Sequence, residues 1–293
     1  MTESKKANKP AGEKKTPKEG FIRKPDGTLE ITVIVPWNEA KKAQEGIENE
    51  LIKSVKIAGF RPGQAPAAVA KAKLNPELVK EEVLKKVVGA AYNVALKKYD
   101  LNPLITPHIH IEIFTEGTDI VFTAETCEEP KIELGNYKEE IKKVTAKSKI
   151  IVPGKEPKPQ GESIDEILEV ALKTAKITIP HVLIENEAGR LLTQLLEELK
   201  KLGLSLDQYL NSRNIEPDKL KAEYNLKAEN DLKLEFFLRK VADAEKITVE
   251  KEDIQKALAS IENPKEREEI MKNPYLVASI IRQQKTVSFL SEL

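Results

Sequence analysis

The spacing of apolar residues near the start of the chain predicts β-strands. From Leu29 to Val35, an apolar residue stands at every second position. A period of two residues is typical of a strand with one buried face. Gly27 follows Pro25 and Asp26, and this order favours a tight turn. We therefore predict that residues 21–35 form strands with a turn at Gly27.

The period changes to that of a helix at Glu39. Apolar residues then recur at intervals of three and four, at Ala40, Ala43, Ile47, Leu51, Val55 and Ala58. The charged residues between them are Lys41, Lys42, Glu45, Glu48, Lys53 and Lys56. Such a pattern is typical of an amphipathic helix with one buried stripe. We expect the charged residues to face solvent.

A longer helix and a hairpin follow. Asn75 and Pro76 fit an N-cap and a first helical position, and the helical pattern continues to about Tyr99. Residues 104–113 and 119–126 are predicted strands, joined by a turn at Glu116 and Gly117. The order of elements predicts an α+β domain over residues 21–129, in which helices cover one face of an antiparallel sheet.

From Ser163 to the C-terminus the pattern is helical only. Helix starts are predicted at Pro180 and Pro217, and Ser205 with Gln208 fits a capping box. We predict an all-α domain over residues 163–293. Because adjacent residues on a helix cannot share one stripe, one of Phe236 and Phe237 is expected to face outward. That residue is a candidate for binding an unfolded polypeptide.

Two segments contain too few apolar residues to form a hydrophobic core. Residues 1–20 are rich in Lys, Glu, Pro and Gly, and we predict a disordered tail. Residues 130–162 include a possible short helix around residues 137–144 and a Pro- and Gly-rich stretch at 153–161. That composition predicts a linker between the two domains. The predicted organisation is therefore multidomain and elongated.

The turn between the first two helices, residues 59–66, has a composition suited to binding. Gly59 fits a helix C′ position, and Pro62 with Gly63 fits a tight turn. Phe60 and Arg61 are then left at its tip, where a ring and a guanidinium could contact a partner with phosphates and an apolar crevice. The alternative is a plain helix connector whose Phe60 packs into the core.

The same turn resembles the signature loop of the trigger factor family of ribosome-associated bacterial chaperones. The matching residues are Gly59, Phe60, Arg61, Pro62, Gly63 and Pro66. In that family the loop contacts the large ribosomal subunit beside the exit tunnel. The resemblance implies that residues 59–63 bind rRNA and a tunnel-exit ribosomal protein, supported by Lys53 and Lys56. Some members carry Lys where this chain has Pro62, and many carry a basic residue at the position of Gln64.

The resemblance extends to the helical region. The pattern Ile179-Pro180-x-x-Leu183-Ile184-x-x-Glu187 is similar to the entry of the trigger factor C-terminal domain. In the family this domain is a chaperone body with two arms around an open crevice. Members normally carry a peptidyl-prolyl isomerase domain of roughly a hundred residues at the position of segment 130–162. That segment is too short for one, so the resemblance implies a form without it.

Composition limits the chemistry. Lys+Arg and Asp+Glu are equal at 48 each, which argues against a general nucleic-acid binder. The single cysteine, Cys127, suits a reducing compartment, and no apolar run approaches the ~20 residues needed to cross a bilayer. We expect a cytoplasmic protein without a membrane partner. His108 and His110 could bind a metal, but no third ligand follows at a recognisable spacing. We predict no metal site, cofactor, catalytic residue or enzyme activity.

Two functions of different class follow from these patterns. The first is a ribosome-associated chaperone that docks through residues 59–66 and holds nascent or unfolded polypeptides in a helical crevice. The alternative is a ribosome-independent holdase or scaffold of the periplasmic-chaperone type. A third hypothesis places isomerase activity in the helical domain. For either of the first two, we expect a monomer or a weak homodimer.

Overall fold

The computed structural model describes residues 18–54, 66–148, 160–259, 267 and 272–293. These residues form two compact units. The first unit takes in the chain up to Lys24 and Thr28–Glu128, and the second takes in Pro25–Gly27 and Glu129–Leu293. Each unit has its own hydrophobic core.

The first unit contains an antiparallel sheet of four strands. They are β1 (Gly20–Arg23), β2 (Thr28–Val35), β3 (His108–Ile113) and β4 (Ile120–Cys127), in the order β1-β2-β4-β3. The residues that alternate along β2 are buried from Leu29 to Val35, as their period predicts. On β4 they are joined by Phe122 and Ala124, which are fully buried. The first of the two predicted hairpin strands begins later than expected, at His108.

Helices cover the apolar face of this sheet. They are α1 (Trp37–Ser54), the short α2 (Ala67–Lys71) and α3 (Pro76–Tyr99). The Asn75 side chain accepts a hydrogen bond from the Glu77 amide and caps α3, as the sequence predicts. Asp100 ends the helix in the left-handed conformation, at φ 52°. The predicted α+β class of this unit is therefore confirmed.

The second unit is largely helical, as predicted. Its helices are α4 (Tyr137–Ser148), α5 (Gln160–Thr174), α6 (His181–Lys201), α7 (Leu206–Arg213), α8 (Pro217–Ala244), α9 (Lys251–Ala259) and α10 (Pro274–Glu292). A small antiparallel pair, β5 (Ile132–Glu133) and β6 (Lys176–Ile177), accompanies them. Ser205 and Gln208 form the predicted capping box at the start of α7.

Helices α6 and α8 pack against each other in opposite directions. Arg190, midway along α6, lies close enough to Asp231 and Glu235, in the second half of α8, for their charges to add to its raised pKa, after the larger effect of Glu187. Burial raises the pKa of Tyr224, near the start of α8, and the negative charge of Glu198, near the end of α6, adds to this rise. The last turns of α6 therefore lie beside the first half of α8, and α7 connects them.

Part of the segment predicted as a linker is folded. Residues 137–148 form α4, which packs against α5, and Ile132 pairs with Ile177 across β5 and β6. Tyr137 and Ile141 are buried in the core of the second unit. Their spacing of four residues places them on one helix face. The many lysines of this segment made its composition resemble that of a linker. The later part of the predicted linker, 149–159, lies outside the described residues.

Candidate functional site

The predicted docking loop lies largely outside the described residues. Gly59, Phe60, Arg61, Pro62, Gly63 and the supporting Lys56 all fall there. Helix α1 ends at Ser54 before this gap and α2 begins at Ala67 after it. Lys53, in the last turn of α1, is exposed. The described part of the loop region therefore consists of its two flanking helices.

An ion pair joins these flanking helices. Lys71 Nζ on α2 lies 2.6 Å from Glu48 Oε2 on α1. Gln44, one turn earlier on α1, donates a hydrogen bond of 2.9 Å from Nε2 to Glu48 Oε1. Both carboxylate oxygens of Glu48 are thus occupied. This contradicts the expectation that Glu48 faces solvent, since the residue is 8% exposed.

The carboxyl group of Glu48 is held in its charged form. Burial pushes its pKa upward, but hydrogen bonds from Lys71 and Gln44 outweigh burial and leave the pKa below its ordinary value. The same contact raises the pKa of the Lys71 ammonium. Position 48 could not be distinguished in the sequence from Glu45 or Lys41, because the neighbour that buries it comes from α2.

A cavity of about 470 Å³ lies beside this ion pair. Its apolar walls include Trp37, Leu74, Val79, Val83 and Phe114, and Glu48 and Lys71 line it as well. The cavity is therefore bounded by α1, the end of α2, α3 and the β3–β4 turn.

The expectation for Phe236 and Phe237 was wrong. Phe236 is 5% exposed and Phe237 is 0% exposed, so neither presents a surface to a polypeptide. Helix α8 packs against α6 and also against α5 and α10. Because its neighbours cover more than one face, two adjacent positions can both be buried.

Other apolar side chains of the second unit are exposed and could bind a polypeptide. Leu202 is 73% exposed and Leu226 is 60% exposed, and Leu196 and Leu204 are each 46% exposed. We call these four residues the leucine set. They lie at the end of the α6–α8 pair that α7 connects. Leu202 continues the three- and four-residue spacing of Leu195 and Leu199 on α6, so periodicity alone does not separate it from the buried Leu199.

A further group of exposed apolar residues lies at the start of α10. Tyr275 is 87% exposed, Leu276 is 57% exposed and Ile280 is 48% exposed. A groove of about 300 Å³ runs between α8 and α10, and Tyr275 and Arg239 line it. Leu276 and Ile280 stand four residues apart and therefore share one face of α10, and contiguous exposed apolar surface is the type that binds other chains.

Polar contacts tie the second unit together around the end of α8. The Tyr137 hydroxyl donates a hydrogen bond of 2.9 Å to Glu245 Oε1, and Lys138 Nζ lies 2.7 Å from the same oxygen. These contacts lower the pKa of Glu245, with Lys138 as the larger cause and Tyr137 as the next. Burial, followed by the bond to Glu245, raises the pKa of Tyr137.

We searched the described residues for side chains that could bind a metal together. Within the described ranges, no group of three or more His, Cys, Asp or Glu residues could hold a metal ion. His108 and His110 lie exposed on β3, opposite Glu125 and Thr123 of β4. In the same part of the chain, no helix is both long and apolar enough to span a bilayer.

Comparison with known protein families gives two adjacent matches. The family model of the bacterial trigger factor protein matches residues 22–156. The model of the trigger factor C-terminus matches residues 160–292. No model of a peptidyl-prolyl isomerase domain matches, and only residues 157–159 separate the two segments.

Curated relatives match over part of their length. The trigger factor of Macrococcus caseolyticus is 32% identical over 108 residues, which are 37% of this chain and 25% of that relative. The trigger factor of Acetivibrio thermocellus is 35% identical over 120 residues, which are 40% of this chain and 27% of that relative. The aligned region thus spans about a quarter of these relatives.

A solved structure shares the fold. It comes from work on promiscuous substrate recognition in the folding and assembly activities of the trigger factor chaperone. It superposes with a TM-score of 0.60 at 15% identity and covers 93% of this chain and 99% of its own chain.

Proposed function

Because this chain belongs to the trigger factor family, we propose that it is a molecular chaperone that docks on the large ribosomal subunit and holds unfolded polypeptides. The observation that carries the proposal is the leucine set, whose members are between 46% and 73% exposed. The docking role rests on the loop residues and on the family to which they belong.

Holding an unfolded chain requires apolar contacts that form and release easily. Each exposed leucine can cover part of an apolar side chain, and full burial of such a side chain contributes ~1.5–3 kcal/mol. Several weak contacts on one unit raise the overall affinity through effective concentration. Tyr275 and Leu276 at the start of α10 provide a second place of contact for the same polypeptide.

We propose that docking uses Gly59, Phe60, Arg61, Pro62 and Gly63, with Lys53 and Lys56 in support. The partners are rRNA and a ribosomal protein beside the tunnel exit. Arg61 carries the only charge at the loop tip, and one charge-assisted hydrogen bond contributes about 1.5–3 kcal/mol. Phe60 and the lysines must therefore add to the affinity, and salt should weaken the binding.

The client-binding role can be tested by suppression of aggregation. The double variant Leu202→Ser and Leu226→Ser should bind a chemically denatured protein with a dissociation constant roughly tenfold higher. The matched control is Leu78→Ser with Leu104→Ser, since these leucines are 44% and 41% exposed in the first unit. Equal activity of both variants would contradict the role of the leucine set.

The docking role has its own test. Phe60→Ala with Arg61→Ala should abolish co-sedimentation with large ribosomal subunits and leave the far-UV circular dichroism spectrum unchanged. Unaltered co-sedimentation of this variant would contradict docking through the loop. A ribosome-independent holdase is the second candidate, and it is favoured by the absence of charge at Pro62 and Gln64. It predicts that the unsubstituted protein suppresses aggregation but does not pellet with ribosomes.

We further propose that the protein acts without catalysis, in the cytoplasm, as a monomer or a weak homodimer. The proposal draws on the absence of a match to an isomerase domain between the two family segments. An X-Pro peptide assay on the purified chain should give no turnover above the uncatalysed rate. Turnover that is lost on mutation of the helical unit would instead support isomerase activity there.

A further inference from the structure

Glu48 differs from the other charged residues of the described chain in its burial. It is the only Asp, Glu, Lys or Arg of those ranges among the buried residues, at 8% exposure. Burying a carboxylate is costly unless charged and hydrogen-bonding partners satisfy it. Here both of its oxygens have partners, Lys71 and Gln44. An apolar residue at this position on α1 would pack without that cost.

The Glu48–Lys71 ion pair joins the two helices that flank the loop. Glu48 lies within α1, which ends at Ser54, and Lys71 is the last residue of α2, which begins at Ala67. The contact therefore joins the helices that come before and after residues 55–65 in the sequence. The ion pairs of Lys85 with Glu81 and Glu82 lie by contrast within α3, where each side chain is 42–61% exposed.

Helix α2 depends on such a contact. It has five residues, and a helix this short is not stable alone in water. Ala70 is 1% exposed and provides an apolar anchor, while Val69 is 43% exposed. The packing of Ala70 is not directional and leaves α2 able to shift along α1. A hydrogen-bonded ion pair forms only when its two groups are at the right distance and orientation. In some packed helices a buried polar residue fixes the register; here Glu48 is the buried partner, and the Lys71 side chain is 60% exposed.

We propose that Glu48 and Lys71 are positioning residues that hold α2 in one register on α1, and that docking on the ribosome depends on this register. This inference rests on the proposed function. Neither residue contacts the ribosome in this role. Loss of the pair lowers the fraction of molecules in which α2 holds this register on α1, and the apparent dissociation constant for ribosomes rises in inverse proportion to that fraction.

The test uses the full chain and substitutions at Lys71. The Lys71 side chain is 60% exposed, so its replacement should not unfold the protein. Lys71→Met removes the charge, and Lys71→Arg keeps it. Glu48→Gln removes the other partner. The matched control is Lys85→Met, which breaks an exposed pair on α3. Amide hydrogen exchange at Val69 and Ala70 reports on α2 without ribosomes, and sedimentation with large subunits reports on docking.

We expect Lys71→Met and Glu48→Gln to accelerate exchange at Val69 and Ala70 several-fold and to raise the dissociation constant for ribosomes about tenfold. Lys71→Arg and Lys85→Met should match the unsubstituted protein. If Lys71→Met docks as tightly as Lys85→Met while the unsubstituted protein pellets, the positioning role is overturned and the proposed function stands. If the unsubstituted protein fails to pellet, the proposed docking function falls, and this inference falls with it.

Discussion

The hydroxyl of Tyr137 donates a hydrogen bond to Glu245 Oε1 over 2.9 Å. Tyr137 begins α4, and Glu245 follows the last residue of α8. The Tyr137 ring also meets the Phe237 ring edge-on, with 5.9 Å between the ring centroids. One side chain thus connects a helix that the composition placed in a linker to the longest helix of the second unit.

Replacement of Tyr137 should separate the contributions of its hydroxyl and its ring. Tyr137→Phe removes one hydrogen bond and should lower the free energy of unfolding by about 0.5–1.5 kcal/mol. Tyr137→Ala also leaves a cavity and should lower it by ~3–5 kcal/mol. Urea denaturation followed by circular dichroism measures both. Tyr275→Ala, at a position 87% exposed, is the control and should change stability by less than about 0.5 kcal/mol.

Glu245 should make the stability of the second unit depend on acid pH. Lys138 and then Tyr137 lower its pKa in the folded state. A lowered pKa means that the folded state favours the carboxylate, so the stabilisation is present above the ordinary pKa of 4.5 and is lost as the pH falls through the folded value. Glu245→Gln should be less stable than the unsubstituted protein at neutral pH and should approach it in acid. A difference that does not change with pH would contradict this assignment.

Truncation of Phe237 should act on stability. Its side chain is fully buried in the core of the second unit. Phe237→Ala should lower the free energy of unfolding by about 3–5 kcal/mol, measured by urea denaturation. Binding of a denatured protein, measured below the transition and corrected for the folded fraction, should stay unchanged. A loss of binding by fully folded Phe237→Ala would restore the original assignment of this residue.

Arg282 should hold the turn between α8 and α9. Its Nε donates a hydrogen bond of 2.8 Å to the Ile247 carbonyl, and a terminal nitrogen lies 2.7 Å from Asp243 Oδ1. Lys246 in this turn has a φ of 53°, a conformation that is uncommon for a residue with a side chain. Arg282→Met should accelerate amide exchange at Ile247. Lys173→Met, which breaks an exposed pair with Glu169 on α5, should leave that exchange unchanged.

Local patterns in the sequence predicted the elements that depend on local chemistry. The alternation from Leu29 to Val35 gave the buried face of β2 because a strand has only two faces. Asn75 and Ser205 marked helix starts because their side chains accept hydrogen bonds from amides within one turn. Pro217 marked another because its fixed φ suits the first helical position. These features need no knowledge of the distant parts of the chain.

Features that depend on distant neighbours could not be predicted in this way. Glu48 has the same local surroundings as its exposed neighbours, and its burial comes from α2. Phe236 and Phe237 are both buried because α8 has neighbours on several sides. Leu202 has the same apolar spacing as the buried Leu199 on α6, but it is 73% exposed. Docking through the loop comes from family resemblance and stays a prediction, and the exposed leucines were missed.

The position of α4 has a practical consequence for dividing the protein into fragments. The match to the first family model extends to residue 156, but Tyr137 and Ile141 pack in the core of the second unit. A recombinant fragment cut at that match boundary would carry α4 without the helices that bury it. Its apolar side would be open to solvent and would favour self-association. A cut after Glu128 keeps α4 with the helices that bury it, and only Pro25–Gly27 of the second unit then remain with the first fragment.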